Sequence, residues 1–149
     1  MIEVVRHIPT AEDMRAFGEA LGRAALAGDR FLLEGPFGAG KTTFVQGLAR
    51  GLDVPTPVTS PTFVIETQYR GRLRLYHIDL YRLEHIEPAL LGDLEEHLFA
   101  DGVAAVEWAE RLPPGLHEGV LLTFAVDGND ARTVTLVTDE ERLAAATPK

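Results

Sequence analysis

Residues Gly35-Pro36-Phe37-Gly38-Ala39-Gly40-Lys41-Thr42 fit the spacing G-x-x-x-x-G-K-[ST] without a gap. Each residue type has a task in holding a polyphosphate. Glycines let the loop curl until successive backbone N–H groups point at phosphate oxygens. A helix beginning at the end of the loop adds a partial positive charge. Lys41 supplies a point charge for the β- and γ-phosphates, the Thr42 hydroxyl is a ligand for Mg²⁺, and Thr43 can reach the α-phosphate. Gly35, Gly38, Ala39, Gly40, Lys41, Thr42 and Thr43 are therefore the candidate nucleotide-binding residues. The chain is otherwise sparing with lysine: of 14 basic residues, only Lys41 and Lys149 are lysines. A lysine kept at this loop argues for phosphate chemistry over an ordinary glycine-rich turn.

Two acids complete a candidate catalytic set of Lys41, Asp79 and Glu107. An acid at the C-terminal end of a buried parallel strand beside such a loop holds Mg²⁺, or polarises the attacking water. Glu107 follows the apolar run Val103-Ala104-Ala105-Val106 and fits that place better than Asp79, which ends His77-Ile78-Asp79. Thr42 and Glu107 are thus the candidate metal ligands. Trp108 stands next to Glu107 and can cover the site. Thr59-Ser60-Pro61-Thr62 offers hydroxyls to sense a γ-phosphate or metal. Arg82 reads as a strut for Asp79, and His77 alone makes a poor catalytic candidate.

The elements that must position these residues alternate between strand and helix. Ile2 to Val5 is β-branched and reads as a strand. Thr10 opens a helix, with Asp13 as the partner of a capping-box-like pair. Met14, Phe17, Leu21 and Ala24/Ala25 recur at helical spacing, and Gly28 can end that helix. Phe31 to Leu33 reads as a buried parallel strand. Thr43 to Leu52 reads as helix and Val54 to Pro61 as loop. Thr62 to Tyr69 and Arg72 to Ile78 form a hairpin around Gly71. A helix from Pro88 through Leu98 precedes the strand Val103 to Val106. A second hairpin joins Val120–Val126 to Thr133–Val137, and a helix-prone tail follows from Glu140 to Ala146. The expected fold is α/β: one P-loop domain over residues 1–149, with a frayed tail near 145–149. Its central sheet is mostly parallel, with antiparallel hairpin strands and flanking helices.

Composition narrows the function. The 149 residues are enough for one domain, 46% are hydrophobic, and the formal net charge is −9. An acidic chain repels a phosphate backbone, so nucleic-acid binding through a broad basic face is disfavoured. Arg70, Arg72 and Arg74 can meet phosphate or simply be a solvated hairpin edge. From Glu84 to Glu118 there are nine acids and Arg111 alone among Lys and Arg, which reads as a solvated face or a docking surface for a basic partner. The absence of cysteine removes thiol chemistry and fits a reducing cytoplasm. No run is long enough to span a membrane, and the N-terminal residues do not read as a signal peptide. The chain lacks the Asn-Lys-x-Asp that reads guanine and the Leu-Ser-Gly-Gly-Gln of ABC-type ATPases. An ATPase subunit, a small-molecule kinase and a non-hydrolysing nucleotide sensor stay open on the residues alone.

Taken together, Gly35…Gly38-Ala39-Gly40-Lys41-Thr42-Thr43-Phe44, Ser60-Pro61-Thr62-Phe63, His77-x-Asp79-Leu80-Tyr81-Arg82-Leu83, Leu91-Gly92 and Glu107-Trp108-x-Glu110-Arg111 resemble the TsaE family, formerly YjeE. The resemblance implies a small P-loop ATPase using ATP and Mg²⁺, leaving ADP. It implies action with TsaD and TsaB in placing a threonylcarbamoyl group on the tRNA adenosine next to the anticodon. On that resemblance, tRNA is met through the complex, and neither DNA nor a membrane is a partner. Carried over by position, Thr42 and Glu107 hold magnesium, Lys41 binds phosphate, Asp79 lies in the active site, Trp108 lies beside it, and Thr10 lies near the base. The chain departs from the family's common Gly-Asp-Leu-Gly at Gly35-Pro36-Phe37-Gly38. It also carries Glu95-Glu96-His97 near the place where the family usually shows Glu-Tyr.

Overall fold

The structure, a computed structural model, describes residues 1–59, 65–81, 83, 87–98 and 101–149. Among the described residues the strands are β1 (Ile2–Ile8), β2 (Arg30–Glu34), β3 (Glu66–Tyr69), β4 (Leu75–Asp79), β5 (Val103–Glu107), β6 (Val120–Val126) and β7 (Arg132–Thr138). The α-helices among them are α1 (Ala11–Ala24), α2 (Lys41–Gly51), α3 (Pro88–Leu98) and α4 (Glu141–Ala146). The strands form one sheet in the order β1-β7-β6-β2-β5-β4-β3. Its centre, β6-β2-β5-β4, is parallel. Antiparallel pairs finish both edges: β3 on β4, and β7 and then β1 beyond β6.

The central strands are buried on both faces, so they read as continuous apolar runs rather than alternating ones. Phe31 and Leu33 of β2, Val103 and Ala105 of β5, and Leu75 of β4 face α1 and α2. Leu32, Ala104, Val106 and Ile78 face the other way, toward Leu94 and Leu98 of α3 and toward Leu112 and Leu116. Phe44 fixes α2 to this frame. Its ring lies 5.9 Å from Phe17, 6.2 Å from Phe31 and 5.9 Å from Phe124, so the helix that begins at Lys41 is anchored to α1, β2 and β6.

Helices α1 and α2 meet backbone to backbone. A Cβ on Gly18 would sit 2.3 Å from the Phe44 carbonyl oxygen, and one on Gly47 2.0 Å from that of Arg15. Gly22 and Gly51 are as tight, at 2.4 Å from Leu48 O and 2.3 Å from Glu19 O. A glycine inside a helix costs roughly 1 kcal/mol relative to alanine. Four are kept here because the helix crossing leaves no room for a methyl group.

The Thr10 cap is formed as expected: Thr10 Oγ1 accepts from Asp13 N at 3.1 Å and donates to Asp13 Oδ2 at 2.7 Å. The first strand is longer than Ile2 to Val5, because the pairing with β7 continues to Ile8 opposite Arg132. Helix α1 ends at Ala24, not at Gly28. Arg72 explains this. Its Nη2 donates to the carbonyls of Gly22, Arg23 (3.1 Å) and Ala25 (3.1 Å), and so satisfies the helix C-terminus with a charge of the right sign. Gly28 lies beyond, at φ 95°, in the turn before β2. Arg72 is thereby committed to the fold, and Arg74 Nη1 donates to Gln68 Oε1 at 3.1 Å. The early part of the expected strand Thr62 to Tyr69, the Ser60-Pro61-Thr62-Phe63 motif and Arg82 lie outside the described residues.

Candidate nucleotide-binding and catalytic site

β2 delivers the chain to Gly35, and α2 takes it away at Lys41. The turn between them needs glycine for stated reasons. Gly35 has φ 149°, and a Cβ there would meet Phe124 O at 2.6 Å. Gly40 is the N-cap of α2 at φ 102°, ψ 13°, with Met14 Cε at 3.0 Å from where a Cβ would stand. No side chain caps α2. Its first N–H groups and its dipole are therefore left for an anion. Arg132, on the far side of the sheet in sequence, donates from Nη2 to Gly38 O at 3.1 Å and from Nη1 to Gly128, Asn129 and Ala131 O. The β6–β7 hairpin thus holds the loop from outside. Ala39 is buried, and Thr42 and Thr43 are half-buried in the first turn of α2.

Lys41 is 4% exposed. Its Nζ donates to Gly35 O at 2.5 Å and Pro36 O at 2.9 Å, and lies 4.1 Å from the centroid of the Trp108 ring. Burial pulls its amine below the ordinary lysine range, while the carboxylates of Glu107, Glu110 and Asp79 oppose that. The next residue meets the expected acid directly. Thr42 Oγ1 lies 2.9 Å from Glu107 Oε1 and 3.0 Å from Oε2. Glu107 is itself buried, at 3% exposure, and its Oε2 is 2.5 Å from His77 Nε2.

Asp79 stands opposite Glu107 in the β4–β5 register. It accepts from Tyr81 N at 2.9 Å. Burial pushes its carboxyl above the usual aspartate range, and the Glu107 charge adds to this. The sign of the linkage follows. The folded state binds the proton more tightly than the unfolded chain, so stability falls as pH rises from the unfolded value through the folded one. Asp79→Asn is therefore expected to raise the melting temperature at pH 7 and to give little gain near pH 3, even as it impairs any chemistry at the site. Thermal melts at the two pH values check this, and equal or lower stability at pH 7 would contradict it.

Trp108 has φ 59° and ψ 43°, a left-handed conformation unusual for a tryptophan. Such strain persists where the surroundings impose it. Here Lys41 lies on the ring, Tyr81 packs at 5.1 Å and the Arg111 guanidinium at 5.5 Å. Arg111 Nη1 also donates to Tyr81 O at 2.6 Å and Leu83 O at 2.5 Å. It braces the segment after Asp79, a strut role that the sequence suggested for Arg82. Phe37, at the exposed tip of the loop, packs on Tyr81 at 5.6 Å.

The candidate residues thus converge on the C-terminal ends of β2, β4 and β5. Thr10 is adjacent rather than central. Its hydroxyl is engaged with Asp13, and one turn later Met14 lies against Gly40. His77 is the member that sequence reasoning passed over. The available signal was strand alternation, which puts His77 on the same face as Asp79. Among the described residues no three His, Cys, Asp or Glu form a metal cluster. The hydroxyl of Thr42 and the carboxylate of Glu107 still suit Mg²⁺, which takes one or two protein oxygens and completes its shell with phosphate and water. No helix among the described residues is long and apolar enough to cross a membrane.

Comparison with known proteins bears on the chain as a whole. The family described as "Threonylcarbamoyl adenosine biosynthesis protein TsaE" matches residues 8–135. A protein of Nostoc sp. named tRNA threonylcarbamoyladenosine biosynthesis protein TsaE is 45% identical over 125 residues, 79% of this chain and 76% of that protein. Its namesake from Treponema pallidum is 40% identical over 128 residues, 84% of this chain and 95% of that protein. The crystal structure of Bacillus subtilis YdiB superposes with a TM-score of 0.75 at 32% identity, covering 97% of this chain and 91% of that one. The matched stretch takes in the phosphate loop and both acid-bearing strands, and the chain belongs to the TsaE family.

Proposed function

We propose that this chain is a Mg²⁺-dependent ATPase that serves threonylcarbamoylation of the tRNA adenosine next to the anticodon, working in the cytoplasm with TsaB and TsaD. The observation that carries the reading is the Thr42 hydroxyl held on the Glu107 carboxylate one residue from the loop lysine. Among the alternatives, neither a bare sensor nor a glycine-rich turn needs a buried carboxylate at that point.

Thr42 and Glu107 would hold Mg²⁺, whose role is to neutralise charge on the β- and γ-phosphates of ATP. Lys41 exchanges the Gly35 and Pro36 carbonyls for phosphate oxygens. The backbone N–H groups of Gly38, Ala39 and Gly40 and the start of α2 cradle the β-phosphate, and Thr43 reaches the α-phosphate. Asp79, beside Glu107, orients the attacking water. Trp108 covers the phosphates, and Thr10 lies toward the base.

The chain is expected to hydrolyse ATP slowly alone. Arg111 and Arg132, the arginines brought to Trp108 and to the loop, both engage backbone carbonyls. An arginine supplied from outside can add roughly 10³–10⁵ in rate. Phosphate release should therefore rise at least ~10-fold when TsaB and TsaD are added, a small part of that range. The assay is phosphate release from ATP by the purified chain, with and without the pair, with Lys41→Ala as the control. Fast turnover indifferent to the partners overturns the reading, and turnover that appears only with a metabolite acceptor assigns a kinase instead.

A further inference from the structure

We propose that His77 is a positioning residue: it fixes the Glu107 carboxylate against Thr42 and so sets how strongly that pair holds Mg²⁺. The inference rests on the ATPase reading above and deepens it.

His77 is fully buried, with 0% exposure. Its Nε2 lies 2.5 Å from Glu107 Oε2, and its Nδ1 is buried without a hydrogen-bond partner among the described residues. Donation to an ionised carboxylate requires a hydrogen on Nε2. Packing alone does not explain the residue. Leu75, two positions earlier on the same strand face, fills its place with an apolar side chain and no polar atom. A leucine at 77 would remove the unpaired nitrogen, but it would also take the histidine donor from buried Glu107 Oε2. Among the described residues the histidine buries Nδ1 without a partner, and its side-chain hydrogen bond is with Glu107.

That contact has a directional consequence. The Thr42 hydroxyl has one hydrogen and donates to one carboxylate oxygen at a time, although it sits within 3.0 Å of both. It cannot by itself stop the carboxylate from turning. His77 removes that freedom by engaging Oε2, which leaves Oε1 presented toward Thr42. Outer partners that orient a metal-binding side chain act in this way. Ala105, the register partner of His77 on β5, is small enough to admit the ring between the strands and α2.

Trp108 is the sole tryptophan, and the Lys41 ammonium lies over its ring, so its fluorescence reports on the loop. The experiment titrates Mg²⁺ into the full chain with saturating ADP, and in parallel into the phosphate-release assay with ATP. In His77→Leu the half-saturating Mg²⁺ concentration should rise about 10-fold or more, ADP affinity without Mg²⁺ should change by less than about twofold, and His77→Gln, which keeps an N–H donor, should recover most of the loss. An unchanged Mg²⁺ requirement in a folded His77→Leu overturns the proposal, as does an equal loss of metal-free ADP affinity. Imidazole ¹⁵N spectra of the wild-type chain supply an arm independent of nucleotide. An Nε2–H tautomer for His77, with a resonance displaced in Glu107→Gln, supports the proposal, and an Nδ1–H tautomer overturns it. If the wild-type chain shows no Trp108 response to ADP and releases no phosphate from ATP with or without the partners, the ATPase reading fails, and those spectra still decide the His77–Glu107 pair.

Discussion

Glu107→Gln is expected to lower ATP turnover by about 10²–10⁴-fold, the range typical of removing a group that acts on protons or metal in the transition state. The substitution is close to isosteric, and the amide oxygen can still accept from His77 and from Thr42. The fold should therefore survive, and ADP should still bind through the loop and Lys41. What is lost is negative charge at a site 3% exposed. Low dielectric makes that charge worth more to a bound cation than it would be at the surface. Calorimetric ADP binding and phosphate release, measured on the same sample, separate the two effects. Turnover within threefold of wild type would remove Glu107 from the catalytic set. Loss of ADP binding with an intact fold would make it a binding residue instead.

The second large effect is on stability. Gly47→Ala places a carbon 2.0 Å from Arg15 O and 2.7 Å from Arg15 C, both backbone atoms that cannot rotate away. The helices must part, and with them the contacts of Phe44 and Leu48 with α1. A loss of more than ~3 kcal/mol is expected, at the severe end of single substitutions. For a chain of this size that corresponds to a fall of about 10 °C in melting temperature. Gly92 is the control. It lies inside α3 with nothing within 4 Å of an added Cβ, so Gly92→Ala should stabilise by about 0.5–1 kcal/mol. Thermal melts of both variants test the contrast. If Gly47→Ala behaves like Gly92→Ala, the close crossing of α1 and α2 is not a constraint on the fold.

Much of the candidate site was legible in the sequence because it is local. The loop motif is eight consecutive residues, the Thr10 cap spans four, and Glu107 terminates its own apolar strand. Element types also followed from short-range patterns, including the two-sided burial of Phe31 to Leu33. Long-range pairing left no such trace. Nothing in Ile2 to Ile8 announces that it will zip to Arg132–Thr138 at the far end of the chain. Gly28 looked like a helix stop because glycine usually serves there, but the helix is stopped earlier by Arg72, 47 residues from Ala25. The glycines of α1 and α2 read as weaknesses of each helix until the two are seen in contact. His77 was passed over for the same reason: its partner is 30 residues away, and burial with one unpaired nitrogen is visible only in three dimensions.

The placement of the two lysines bears on how the protein can be handled. Lys41 is 4% exposed beneath Trp108, whereas Lys149 and the Met1 amino group face solvent. An amine-reactive ester should therefore modify exposed Lys149 in preference to Lys41 and leave the phosphate loop unmodified. The opposite ends of the central strands, where Gly28 N meets Gly102 O and Val103 N meets Arg74 O, lie a strand's length from the chemistry, about 16 Å for five residues. With no cysteine in the chain, a single one introduced at exposed Arg70 would give a second, orthogonal label on that remote rim. The molecule thus lends itself to two-colour distance measurements of the proposed approach to TsaB and TsaD, with Lys41 chemically untouched.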